Sequence, residues 1–212
     1  MKTIEMELDV TCAILAGGES RRMGQDKAFI QVAGICLFDY VYDKCRELFS
    51  ELIIVTNQPQ QFCEYQAHIV IDAIGRGGSL GGIYTALMKA SNYHTFCVAC
   101  DMPFLKPEVV THLIGKRRGC DIVIPLITGG LEPLHALYSK RCIKPIRKLL
   151  ERGELKITRL LSEVRVCYCN EEELRTIDPS LTSFTNVNTK KDVLKIQRML
   201  KGSQWEAKFE AR

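Results

Sequence analysis

At 212 residues, with 46% hydrophobic and 25% charged side chains, the chain has the composition of an ordinary soluble globular protein and is long enough for one domain with a sheet covered on both faces. Its net charge of +4 suits a small anionic substrate and falls short of the concentrated basic stripe of a nucleic-acid reader. No apolar run approaches the roughly 20 residues that span a bilayer, and the N-terminus, with Glu5, Glu7 and Asp9, lacks the apolar core of a secretory signal; the expected location is the cytoplasm, with neither nucleic acid nor membrane as a partner.

Residues 1–9 read as a charged lead-in. The apolar run 10–15 reads as a buried first strand, and it delivers the segment Leu15-Ala16-Gly17-Gly18-Glu19-Ser20-Arg21-Arg22-Met23-Gly24-Gln25-Asp26-Lys27. Paired glycines remove the Cβ atoms that keep a backbone from a ligand, so exposed N–H groups can point at anionic oxygens. Arg21, Arg22 and Lys27 add fixed positive charge, the arginines as planar forks and the lysine as a mobile point. The segment has the properties of a triphosphate cradle, although it matches neither the P-loop spacing nor the three-glycine dinucleotide fingerprint.

A helix is expected over 36–48, with Phe38, Val41, Tyr42, Cys45 and Leu48 on one face. The nearly continuous apolar run 51–56 predicts a strand buried on both faces, as in a parallel sheet, ending at Thr56 and Asn57; a further strand over 69–72 ends at Asp72. Then comes Gly75-Arg76-Gly77-Gly78-Ser79-Leu80-Gly81-Gly82, a glycine cluster opening a helix over 83–90, where a ligand could pack against bare backbone. A central strand over 95–99 leads into Cys100-Asp101-Met102-Pro103-Phe104. A carboxylate directly after a buried strand, held by a proline turn, is placed to ligate Mg²⁺, which takes one or two carboxylates plus phosphate oxygens and water.

Pro107 starts a helix ending near Gly115. A strand over 122–125, a turn at 128–133 and a strand through Leu134-His135-Ala136-Leu137-Tyr138 follow, with His135 a possible phosphate donor or a core residue. A basic-faced helix over 143–150, a helical turn at 157–161 and a strand over 164–168 complete the alternation. Asn186-Val187-Asn188-Thr189 offers amides suited to phosphate, pterin or metal-bound water, and Asn188-Thr189 could also cap the last helix, 191–200. The reading is one domain over 1–201 with a tail at 202–212. Alternating strands and helices imply an α/β fold, a three-layer α/β/α sandwich around a Rossmann-like, mainly parallel sheet. The polar strand ends, Gly17-Gly18, Thr56-Asn57, Asp72 and Asp101, then share the sheet edge at which such folds bind ligands.

Ten cysteines are present. Cys97 and Cys100 form a C-x-x-C and Cys167 and Cys169 a C-x-C, but the first pair lies in an apparent buried strand without a metal-gripping turn. Reduced core thiols are the expected state.

The first segment, with LAGG, RMG and DK in order, resembles the signature of the molybdenum cofactor guanylyltransferases, enzymes with the nucleotide-diphospho-sugar transferase type of fold. The Asp101-Met102-Pro103-Phe104 and Asn186-Val187-Asn188-Thr189 segments resemble that family's later motifs, and Ser79 stands where the family often has proline. The resemblance covers Leu15 to about Thr189. It implies transfer of GMP from GTP to the terminal phosphate of molybdopterin, with pyrophosphate released, and Mg²⁺ on Asp101. It implies that Arg22, Lys27 and Asp101 act catalytically. It also implies that Leu15, Ala16, Gly17, Gly18, Lys27, Asn57, Asp72, Gly77, Gly78, Leu80, Gly81 and Asp101 hold the nucleotide, and that His135, Asn186 and Asn188 face the pterin phosphate. Partners implied are GTP, molybdopterin, other molybdenum-cofactor biosynthesis proteins and recipient molybdoenzymes. A CTP-dependent cytidylyltransferase, a sugar-phosphate nucleotidyltransferase and a non-catalytic nucleotide-binding module are the competing readings.

Overall fold

The computed structural model describes residues 9–17, 27–32, 34–75 and 77–200, apart from the side chains at 27, 190 and 200. Gly18, Arg21, Arg22, the Lys27 side chain and the 202–212 tail therefore lie outside the described residues.

Strand β1 (Val10–Leu15) is buried along its whole length, as expected for a run with no polar face. A short hairpin of β2 (Gln31–Val32) and β3 (Ile35–Cys36) precedes helix α1 (Leu37–Leu48), which buries Phe38, Val41 and Cys45. Next come β4 (Glu51–Thr56), β5 (His68–Ile71), α2 (Gly78–Lys89), β6 (His94–Ala99) and α3 (Pro107–Gly115). The chain continues through β7 (Ile122–Ile127), β8 (Gly130–Leu131), β9 (His135–Ser139), α4 (Ile143–Glu151), α5 (Ile157–Leu160), β10 (Val166–Asn170), α6 (Glu171–Arg175) and α7 (Lys190–Leu200).

The main sheet runs β10-β7-β9-β6-β1-β4-β5, with β8 paired to β7. β1 lies parallel to both β4 and β6, and β4 parallel to β5. β9 is inserted antiparallel between β6 and β7, so the sheet is mixed and mostly parallel.

Alternation along β1 sends Cys12 and Ile14 to one face and Ala13 and Leu15 to the other. The first face packs on α1, α3 and Leu174 of α6; the second packs on Leu80, Ile83 and Leu87 of α2, Ile146 and Leu149 of α4 and Leu160 of α5. These are the three layers expected from the sequence. A small third core of Val32, Leu37, Tyr40, Val187 and Ile196 ties α7 to the β2/β3 hairpin. Thr189 and Asp192 cap α7 reciprocally: the Asp192 carboxylate accepts from the Thr189 N–H at 2.7 Å and the Asp192 N–H donates to the Thr189 hydroxyl at 3.2 Å. Among the described residues no helix is long and apolar enough to cross a membrane.

Two expectations need correction. Helix α2 begins at Gly78, five residues earlier than expected, so Gly78, Gly81 and Gly82 are its first turns and not a loop ahead of it. Helix propensity disfavours glycine there, but a Cβ on Gly82 would come within 3.3 Å of Leu15 Cδ1, so close packing on β1 overrides propensity. The cysteines are also not all reduced: Cys120 and Cys167, 47 residues apart, are joined in a disulfide. Sequence spacing carries no signal for a pair so far apart.

Candidate active site

The ends of β1, β4, β5 and β6 converge, because these strands are parallel and adjacent. The Cys100 N–H donates to the Leu15 carbonyl at 3.3 Å, and the Ala16 N–H donates to the Val55 carbonyl at 2.9 Å. The chain order changes direction across β1, with β4 on one side and β6 on the other. This is the switch point at which open α/β sheets form a crevice.

Leu15 and Ala16 are buried while Gly17 is exposed, so side chains anchor the segment and backbone is offered at its tip. A Cβ on Gly17 would sit 3.9 Å from the Asn57 amide nitrogen, which places Asn57 beside that bare backbone. The Asp72 N–H donates to the Thr56 carbonyl at 3.3 Å. The Asp72 carboxylate is pinned: its Oδ1 accepts from the Ile74 N–H and from the Thr85 hydroxyl, each at 3.0 Å. A Cβ on Gly81 would lie 3.5 Å from both Asp72 oxygens, and one on Gly77 only 2.8 Å from the Gly81 Cα and from Ile74 Cγ2. Gly78 instead has φ of +56° with open space around it, so it is required for its backbone conformation. Leu15, Ala16, Gly17, Asn57, Asp72, Gly77, Gly78 and Gly81 thus form one continuous patch. The Leu80 side chain is wholly buried between the sheet and α2, so it is the backbone of Leu80 that borders this patch.

Asp101 follows β6 directly and is half-buried. Its carbonyl accepts from the Val187 N–H at 3.0 Å, so Asn186 and Asn188 flank the position of Asp101 although 85 and more residues separate them in sequence. Two groups that sequence reasoning passed over complete this side. Glu132, in the turn before β9, is pushed up to about 7 by burial and by the neighbouring Asp101 carboxylate. Asp178 is fully buried and accepts from Lys106 Nζ at 2.7 Å, from the Ser183 N–H at 2.9 Å and from the Thr182 hydroxyl at 3.2 Å. Burial alone raises its pKa, but the Lys106 and Ser183 hydrogen bonds outweigh that and hold it below the usual carboxylate range. Asp178 therefore fastens the turn that leads into Asn186 and Asn188. Neither role is visible in sequence, because each depends on a distant partner.

Removing the Asp178 charge leaves buried donors short of an acceptor. Asp178→Asn is expected to cost about 2–4 kcal/mol of stability in urea unfolding and to weaken substrate binding through the loosened asparagine segment.

Of the two readings of His135, phosphate donor or core residue, its surroundings favour the second. Its ring is fully buried, edge-on to Phe96 and 4.8 Å from the Phe184 ring. Among the described residues neither ring nitrogen has a hydrogen-bond partner, and burial, only partly opposed by Asp178, pulls its pKa down to about 3. It is a neutral core residue. Below pH ~6.5 the unfolded chain takes up a proton that the folded chain refuses, so stability falls as the pH drops from there toward 3. Between pH 7 and pH 5 the loss from this residue is about 2 kcal/mol. His135→Leu should shrink the pH 7 to pH 5 difference in unfolding free energy by that amount.

A family model, the MobA-like NTP transferase domain, matches residues 12–166, a span running from within β1 to the start of β10. The chain belongs to the MobA-like NTP transferase family. A molybdenum cofactor guanylyltransferase of Desulfosudis oleivorans is 39% identical over 92% of this chain and 98% of its own length. A probable molybdenum cofactor guanylyltransferase of Pelotomaculum thermopropionicum is 38% identical over 93% of this chain and 96% of its own. Among solved structures, molybdopterin-guanine dinucleotide biosynthesis protein A from Archaeoglobus fulgidus superposes with a TM-score of 0.82 at 32% identity, covering 92% of this chain and all of that one. The MobA-like family and the sheet-edge crevice agree on a nucleotidyltransferase.

Proposed function

We propose that the chain is a molybdenum cofactor guanylyltransferase, transferring GMP from GTP to the terminal phosphate of molybdopterin. The observation that carries the reading is the meeting, at one crevice, of the Leu15 to Gly17 backbone, the Asp72-anchored glycine turn and Asp101, in a chain similar over nine-tenths of its length to relatives bearing that name.

In the reaction an oxygen of the pterin phosphate attacks the α-phosphorus of GTP, the bond from that phosphorus to the bridging oxygen breaks, and pyrophosphate leaves with the electron pair. Attack by one anion on another needs the repulsion neutralised and the reacting groups held in line. The glycine patch holds the nucleoside close to backbone, with Asp72 offering a fixed acceptor for base N–H groups. Thr85 and the Ile74 N–H keep that acceptor oriented. The asparagine segment, hinged on the Val187 to Asp101 hydrogen bond, brings amide donors to the acceptor phosphate. Arg22 and Lys27 are assigned to phosphate charge on the basis of the sequence.

The carboxylates of Asp101 and Glu132 are hard oxygen donors of the kind that Mg²⁺ takes, and the asparagine segment is tied to Asp101 through its backbone. Burial first, and then the neighbouring Asp101 carboxylate, raise the Glu132 pKa, and a divalent cation beside the two would favour the ionised form of Glu132. Asp101 is the ligand assigned to it, and Mg²⁺ there would supply charge neutralisation on phosphate oxygens. The test is pyrophosphate release on mixing the protein with GTP, Mg²⁺ and molybdopterin. Release is expected only when all three are present, and release independent of the pterin would overturn the assignment.

A further inference from the structure

The same edge of the sheet carries a second cluster, at the far end from β5. β10 lies three strand positions from β6, and there His112 of α3, Cys169 of β10 and Glu173 of α6 come together from three elements. One donor atom from each lies within 4.8 Å of the others. His112 Nε2 is 2.8 Å from Glu173 Oε1. Cys169 is fully buried, while the His112 and Glu173 side chains are each 29% exposed, so the cluster has a closed floor and an open mouth.

We propose that His112, Cys169 and Glu173 form a binding site for a divalent ion of the zinc class. Imidazole, thiolate and carboxylate form the mixed N/S/O donor set that zinc accepts, and around a tetrahedral zinc such donors stand about 3.3–3.8 Å apart. The His112–Glu173 pair, at 2.8 Å, has to open by about half an ångström, and any pair as far apart as 4.8 Å to close by about one, to reach that geometry. The supports are firm: the Asn170 side chain caps α6 by accepting from the Glu173 N–H at 2.8 Å, and Leu113 and Leu174 beside the ligands are buried.

A positive charge is already seated there. Lys116 Nζ lies 2.6 and 2.8 Å from the two Glu173 oxygens, and its side chain is 32% exposed, free to swing into water. The site therefore holds either this ammonium or a metal ion. Burial pushes the Cys169 thiol up to about 11, so metal binding must expel its proton, and affinity falls in acid. Cys167, two residues along the same strand and on the same face, is committed to the disulfide with Cys120. Among the described residues that leaves three protein ligands and a fourth position for water. Filling the site would cross-link α3, β10 and α6 well away from Asp101, so the inference stands apart from the proposed transferase activity.

Cobalt(II) alone, titrated into the full-length protein with its disulfide intact, tests the proposal. One equivalent should produce a thiolate-to-cobalt charge-transfer band. His112→Gln, at a partly exposed position, should weaken binding by at least the ~10–100-fold that loss of an outer-shell partner costs, Cys169→Ser should abolish the band, and Lys116→Gln should bind more tightly than the parent. A cluster that is only an ion-pair network gives no band in the parent or in Lys116→Gln, and a band that survives both His112→Gln and Cys169→Ser places the metal elsewhere; either result overturns the proposal.

Discussion

Asp101→Ala is expected to lower kcat for pyrophosphate release by about 10³-fold, with a much smaller change in nucleotide affinity measured without turnover. Its carboxylate stands at the end of β6, where the backbone is tied to β1 by the Cys100 to Leu15 hydrogen bond and to the asparagine segment by the Val187 to Asp101 hydrogen bond. A group held from two sides is preorganised for charge that develops as the phosphates meet, and removing such a group typically costs about 10²–10³ in rate. The upper end applies because the reaction joins two polyanions and no protein nucleophile shares the work. Asp101→Asn keeps the shape and removes the charge, so it should lose nearly as much. A variant retaining more than a tenth of the parental kcat would show that Asp101 has no part in the chemistry.

Gly77→Ala is the second large effect, and it is separable from Gly78→Ala. At Gly77 the backbone, with φ of −77°, suits any residue, but a methyl group would meet the Gly81 Cα and Ile74 Cγ2 at 2.8 Å. The first of these is main chain and cannot turn aside. The start of α2 must move, and with it Ile74, whose N–H orients the Asp72 carboxylate. Overpacking of this kind costs about 1–3 kcal/mol, and the displaced acceptor should raise the GTP dissociation constant by about tenfold or more, the equivalent of one lost hydrogen bond at 1.4 kcal/mol per decade. Gly78→Ala meets open space and bears only the left-handed backbone cost of about 1–2 kcal/mol. It should lower the melting temperature and leave GTP affinity within a few-fold of the parent. Isothermal titration with GTP beside thermal unfolding separates the two.

The strands were legible because runs such as Val10–Leu15 and Glu51–Thr56 are mostly apolar and short, and turn polar where the chain leaves the sheet. Once those strands are parallel, their ends must share an edge, so Gly17, Asn57, Asp72 and Asp101 could be grouped from sequence alone. The start of α2 was not legible: glycine spacing reads as loop, and only the Leu15 side chain on one side and Asp72 on the other explain why glycines form the first turns of a helix. The burial of the His135 and Leu80 side chains was not legible for a related reason. Both lie in motifs that run past the site, yet β9 turns the His135 ring onto Phe96 and Phe184, and α2 turns Leu80 inward. The Lys106–Asp178 pair and the Cys120–Cys167 disulfide join residues 72 and 47 positions apart, and no local pattern announces contacts of that range.

The central claim is that this crevice selects a guanine nucleotide and joins it to a pterin phosphate. Incubating the protein with Mg²⁺, molybdopterin and equal concentrations of GTP and CTP, then identifying the pterin product by mass, tests it most directly. The account predicts the guanine dinucleotide as the dominant product; a cytosine dinucleotide in equal or greater amount would contradict it.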